Sequence, residues 1–241
     1  MVKKQFGMEC SGAILSETAA SIDAYKLAHE LIQLNVQRGM QVYDQTEIKK
    51  FNLSNEQPSV VTESGCTIHC KKVIFCSGFE TTKLLKEKVA KLFYTYACVS
   101  EQDIKLPVNL HKTLVWDTAD PYLYMRTTDD GRLLVGGEDS SVNLPIFQQT
   151  IKEHKARNLQ KRLKEILPDT TFIEDFSWAG TFGSTKDGLP YIGQSPEYEN
   201  ALFVLGFGGN GITFSIQAMD IIRDLLEGKS NELSNYYRFG R

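Results

Sequence analysis

Gly206-Phe207-Gly208-Gly209-Asn210-Gly211 spells G-x-G-x-x-G between a strand-like run, Ala201 to Leu205, and a helix-like run from Ile212 to Glu227. Read locally, this is a dinucleotide-binding fingerprint. That fingerprint works inside a βαβ unit whose second strand ends about 20 residues on in an acid that grips the ribose. Here the helical pattern stops at Gly228, and Lys229 to Arg241 is polar and aromatic with no apolar alternation. Those residues supply no second strand, so the glycine turn must serve something other than dinucleotide phosphate. Its bare backbone N–H groups at the positive end of a helix still suit partial negative charge on a ligand. The plain alternative is a tight turn that needs small residues for packing, and the motif alone does not choose between the two.

The wider composition narrows the field. At 241 residues, 41% hydrophobic and 24% charged, the chain can bury a large core in one or two domains. A net charge of -3 gives no basic field for phosphate backbones or anionic membranes, so neither nucleic acid nor membrane is expected as a partner. The five cysteines are odd in number and lack C-x-x-C spacing, and no run near Met1 resembles a signal peptide. A reducing, cytoplasmic setting is expected. Cys66, His69 and Cys70 form no metal site on this reading, because strand alternation sends the two cysteines to one face and the histidine to the other. The histidines at 29, 69, 111 and 154 stand in no glycine-flanked or carboxylate-paired context, so hydrolytic triads find little support.

Outward from the glycine turn, the pattern divides the chain. Residues 1–20 carry no complete periodic element and read like the middle of something. Ala24, Leu27, Ala28, Leu31, Ile32 and Leu34 then form a broad helical stripe, with Ser21 or Asp23 able to cap and Gly39 ending it. Val60 to His69 reads as a hairpin about Glu63-Ser64-Gly65, and Val73-Ile74-Phe75-Cys76 as a strand buried on both faces of a parallel sheet. From Val89 to Asp175 longer alternating strands follow: Leu92 to Ser100, Lys112 to Asp117, Tyr122 to Thr127 and Arg132 to Gly136. They suggest a separate antiparallel sheet. A helix from about Ile146 to Leu167 turns Ile151, Leu159, Leu163 and Ile166 toward that sheet, and its lysines and arginines read as a solvated face. In the last helix Ile212, Ile216, Met219, Ile222 and Leu226 recur at helical spacing and are expected to face the core.

Several segments, collinear along nearly the whole chain, resemble the D-amino-acid-oxidase-like family of FAD-dependent oxidoreductases, which includes glycine oxidase and sarcosine oxidase. They are Ala20 to Tyr25, Arg38 to Tyr43 with Thr46-Glu47-Ile48, Lys72 to Gly78, Gly131 to Glu138, Thr185 to Gly193, and Gly206 to Ile212. The resemblance implies a mixed α/β (α+β) fold: a discontinuous FAD-binding, Rossmann-like domain (1–88 and 174–241) and an antiparallel-sheet substrate domain (89–173). It implies that Glu47-Ile48 and Cys76-Ser77-Gly78 line the adenine and pyrophosphate side of FAD. The loop Gly206, Phe207, Gly208, Gly209, Asn210, Gly211 and Ile212 would lie against the flavin ring. There, hydride arriving at N5 leaves negative charge at N1 and C2=O, which helix N-terminal amides stabilise. Tyr94, Tyr96, Tyr124 and Arg126 are the candidates for facing substrate, and Tyr124 and Arg126 share one face of their strand.

The chain departs from the family pattern in two ways. The family's own amino-terminal fingerprint has no counterpart here, so the FAD-binding domain is expected to be incomplete, the chain a fragment, and its own hold on FAD weak or absent. Phe182 stands where glycine oxidase places an arginine for the substrate carboxylate, and Thr213 where sarcosine oxidase has a lysine. An α-amino-acid substrate is thereby put in doubt. The expected activity is oxidation of a C–N bond in a small amine or amino-acid derivative by hydride transfer to FAD, with no catalytic side chain assigned and no metal. The rival readings are a non-catalytic binding module or remnant and, on the literal glycine motif alone, a nicotinamide enzyme.

Overall fold

The structure, a computed structural model, describes residues 2–53, 57–102, 104–141 and 148–241. The chain forms two compact units, Met1–Ser21 with Leu92–Thr181, and Ile22–Lys91 with Phe182–Arg241.

The first unit is an antiparallel five-stranded sheet of β5 (Lys91–Ser100), β6 (Val115–Trp116), β7 (Leu123–Thr127), β8 (Leu133–Ser141) and β9 (Glu174–Ser184), in the order β6-β7-β8-β5-β9. The expected turn Asp129-Asp130-Gly131 joins β7 to β8, with Gly131 at φ 82°. Helix α3 (Gln148–Ile166) crosses one face of the sheet, and Leu159 and Leu163 lock into Tyr96, Cys98, Leu123, Met125, Leu133 and Val135. Each such aliphatic side chain taken from water stabilises the fold by roughly 1.5–3 kcal/mol.

Residues 1–21 join this unit rather than the nucleotide-binding region expected from the sequence. Short helix α1 (Val2–Phe6) packs at the turn Val108–Lys112, where Asn109 Nδ2 donates to Gln5 O at 3.1 Å. Glu9 N donates to Ile166 O at 2.8 Å, which tethers the segment to the end of α3.

The second unit contains helix α2 (Ala24–Gln37), capped as expected by Asp23, whose carboxylate accepts from Tyr25 N and Lys26 N. One sheet runs β1 (Ile48–Asn52), β2 (Ser59–Thr62), β3 (Thr67–His69), all antiparallel, with Val60 opposite Ile68 in the expected hairpin. The other has the order β10 (Tyr191–Gln194), β11 (Ala201–Leu205), β4 (Val73–Phe75), with β4 and β11 parallel. β4 is an edge strand here, not one buried on both faces. Phe75 stacks on Phe203 inside, whereas Ile74 is exposed.

Helix α4 (Gly211–Leu226) closes the unit by burying Phe214, Ala218, Ile221 and Ile222. Of the residues expected to face the core, Ile222 does so, and the rest of the expected face is corrected. Ile212, Ile216, Met219 and Leu226 lie in water on the other side, because the helix carries two apolar stripes and the β10-β11 sheet covers the one that holds Phe214. The charge on α3 is also not wholly solvated, since Lys155 and Arg162 turn inward to a buried acid.

Candidate functional site

Parallel pairing of β4 with β11 sets Phe75 beside Phe203, so both strands end on the same side of the sheet. Cys76-Ser77-Gly78 follows the first and Gly206 to Gly211 the second. The structure therefore brings together the two glycine turns read from the sequence, at the carboxyl ends of parallel strands. That is where open α/β sheets receive ligands.

The loop after β11 needs its first glycine. Gly206 has φ 78°, and a Cβ there would stand 2.6 Å from Thr185 Cγ2. Phe207 bridges to Ser184, and Gly208 N donates to Gly183 O at 3.0 Å, which fixes the path. Beyond this point the loop opens: a Cβ on Gly208 or Gly209 would meet nothing within 4 Å. Asn210 caps α4 without a side-chain hydrogen bond, so the first-turn N–H groups face outward with the helix dipole behind them. Gly78 is similar, with φ 58° and open space around it, while Ser77 Oγ and Thr81 Oγ1 lie 2.8 Å apart beneath the turn. An uncharged set of backbone donors with clear space before it fits the partially negative edge of a flavin ring.

A clamp that the sequence reading missed supports this loop. Arg241 donates to both oxygens of Asp187, at 2.8 and 3.1 Å, and to Leu189 O at 2.6 Å, while its guanidinium lies 3.9 Å from the Tyr191 ring centre. The Arg241 guanidinium holds the Asp187 carboxyl well below the usual carboxylate range. Thr185, whose methyl abuts Gly206, donates to Asp187 and to Leu189 O at 2.8 Å. The one signal for it was the Asp187-Gly188 turn, since no periodicity links Asp187 to a residue 54 positions on.

Glu47 and Ile48 lie at the start of β1 in the other sheet of this unit, where Glu63 N donates to Glu47 O at 2.9 Å. Phe182 lies in β9 and is half-buried. In the first unit the substrate candidates separate. Tyr94 and Tyr96 correct the expectation: both turn to the α3 side, where Tyr94 packs against the core and Tyr96 is buried in it. Alternation sends Tyr124 and Arg126 to the opposite face, because Leu123 and Met125 between them fill the core. The Tyr124 ring lies over Gly136, where a Cβ would come within 2.3 Å of it. Burial pushes the Tyr124 phenol up.

Comparison with known proteins bears on the family and the fold. The family model for DAO, FAD dependent oxidoreductase, matches residues 2–224. Glycine oxidase of Geobacillus kaustophilus is 27% identical over 91% of this chain and 57% of its own length. D-amino acid dehydrogenase of Helicobacter pylori is 23% identical over 92% of this chain and 53% of its own length. The crystal structure of the Geobacillus glycine oxidase superposes with a TM-score of 0.72 at 22% identity, covering 90% of this chain and 58% of that one. This chain thus spans little more than half the length of the relatives it matches.

Proposed function

Because the chain belongs to the DAO family of FAD-dependent oxidoreductases, we propose that it serves an enzyme that oxidises a C–N bond of a small amine or amino-acid derivative. The observation that carries this reading is the pair of glycine turns, Cys76–Gly78 and Gly206–Gly211, at the carboxyl ends of parallel β4 and β11. Bound FAD would supply the redox chemistry by accepting a hydride.

The chain's own part is to hold and orient. Backbone N–H groups of Gly209, Gly211 and Ile212 would face the edge of the ring where negative charge develops on reduction, already in position when the reaction begins, while Asn210 N donates to Phe207 O within the loop. Cys76-Ser77-Gly78 offers close backbone approach to the pyrophosphate side, with Glu47 and Ile48 toward the adenine. Tyr124 and Arg126, on the open face of the other unit's sheet, are the candidates for contact with substrate. An oxidation of this kind needs an oriented neutral amine rather than a paired acid and base.

The test is direct. The protein expressed from its complete reading frame should carry flavin absorbance, or regain it on incubation with FAD, and an amine substrate should bleach that absorbance under anaerobic conditions. A protein that purifies without flavin and cannot be reconstituted defeats the reading.

A further inference from the structure

The glycine loop after β11 rests on one short stretch of chain. Its first three residues lie in turn against Thr185, Ser184 and Gly183: Gly206 abuts the Thr185 methyl, Phe207 bridges to Ser184, and Gly208 N donates to Gly183 O at 3.0 Å. Whatever fixes residues 183–185 therefore fixes the loop. Across the Asp187-Gly188 turn, Tyr191 of β10 lies opposite Leu205, the residue before Gly206.

Arg241 holds both sides of that turn. Its guanidinium donates to Asp187 and to Leu189 O and lies over the Tyr191 ring, and only 12% of the side chain is exposed. Leu189 N and the Thr185 hydroxyl reach the same carboxylate, at 3.1 and 3.2 Å. That hydroxyl has one proton for two acceptors, Asp187 and Leu189 O, and Arg241 engages both of them. The arrangement selects one χ1 for a stiff, β-branched side chain and turns its methyl toward Gly206. Holding the segment after α4 in place does not require this charge, because Tyr237 and Phe239 are already buried. A largely buried cation adds little net stability over an apolar side chain of the same volume, whereas a planar fork fixes two acceptors in one geometry.

We propose that Arg241 is a positioning residue for the glycine loop, acting through Asp187 and Thr185, and that it thereby makes the loop favour reduced over oxidised flavin. The ligand in this proposal rests on the C–N oxidation reading above. The geometry rests on contacts within the second unit. The N–H groups of Gly209, Gly211 and Ile212 gain most where negative charge is present, so a displaced loop costs reduced FAD more than oxidised FAD. General loosening of the unit weakens both forms alike.

The experiment compares Arg241→Gln, Asp187→Asn and the double variant with the unaltered protein, each expressed from the complete reading frame. Val60→Ala in β2 is the control, a buried residue whose truncation loosens the same unit in its other sheet. Amide hydrogen exchange at Gly208 should quicken about tenfold in each clamp variant and stay unchanged in the control. In the flavin-loaded protein the affinity for reduced FAD should fall about tenfold further than that for oxidised FAD, which lowers the two-electron midpoint potential by about 30 mV. The double variant should show the shift of either single one, because all three remove one contact. Thr185→Ser, which keeps the hydroxyl and loses the methyl, should move the potential the same way by a smaller amount. Unchanged Gly208 exchange in Arg241→Gln, an unmoved potential in that loaded variant, additive shifts in the double variant, or an equal shift in Val60→Ala overturns the proposal. Faster Gly208 exchange in clamp variants of a protein that takes up no flavin sinks the oxidoreductase reading and the flavin effect with it, while the positioning of the loop by Arg241 stands.

Discussion

The helices that carry an apolar stripe, α3 in the first unit and α2 and α4 in the second, fare differently. In the first unit, α3 turns its stripe onto the five-stranded sheet, and Leu159 is 0% exposed. In the second, α2 buries no residue at all, and α4 leaves Ile216 and Met219 56% and 64% exposed opposite its buried face. The same periodicity therefore carries different free energy in the two places. An apolar stripe stabilises a fold only where it is removed from water, and sequence states the stripe without stating its cover.

The strongest way to break this comparison is Leu159→Ala. Deleting a fully buried leucine should cost about 2–5 kcal/mol. Both tryptophans, Trp116 and Trp178, lie in the first unit, so their fluorescence reports its unfolding by denaturant. A midpoint that does not move would show that α3 is no part of that unit's core.

Next in size is Gly206→Ala in the second unit. A Cβ there meets both a left-handed backbone and the Thr185 methyl, for an expected loss of about 1–3 kcal/mol. The tryptophan transition should stay in place while the circular-dichroism transition of the remaining helices falls. On the proposed function, flavin loading should fall with it. A variant of wild-type stability that loads flavin normally would remove the glycine turn from the site.

These two tests probe what was legible. The glycine turns, the hairpin at Glu63-Ser64-Gly65, the Asp23 cap and the alternation of β5 and β7 are local signals, each set by a turn residue or a period, and the fold followed from them together with the family resemblance. The rest depended on contacts between distant residues. The Arg241–Asp187 clamp spans most of the second unit's carboxyl half, and the inward turn of Lys155 and Arg162 is dictated by Glu138, which lies on another element. Strict alternation would also have misplaced Glu138 and Asp139, because a bulge in β8 breaks the period of two. The adjacent glycines at 136 and 137 inside a strand were the available sign of it.

A smaller effect separates the units by pH. The Asp187 carboxyl is depressed in the folded protein, first by hydrogen bonds from Arg241. A depressed acid adds stability that is complete above its unfolded value, about 4, and is lost as pH falls below it. The contribution is modest because Asp187 is nearly half exposed. Acid titration should therefore lower the circular-dichroism midpoint of the second unit below about pH 4, and Asp187→Asn should flatten that slope. An unchanged slope in the variant would mean that the clamp does not persist in solution.

The smallest expected change in stability is at Ile216. Its side chain is already in water, so Ile216→Lys should move the unfolding midpoint by no more than about 0.5 kcal/mol, against several for Leu159→Ala. The surface should still register it. Removing one large residue from the stripe of Ile212, Ile216, Met219 and Leu226 should reduce binding of a hydrophobic dye and any concentration-dependent self-association seen by light scattering. A loss of stability comparable to that of Leu159→Ala would show that the stripe is covered in solution, and the contrast between the two helices would then lie in which neighbour covers them rather than in whether they are covered.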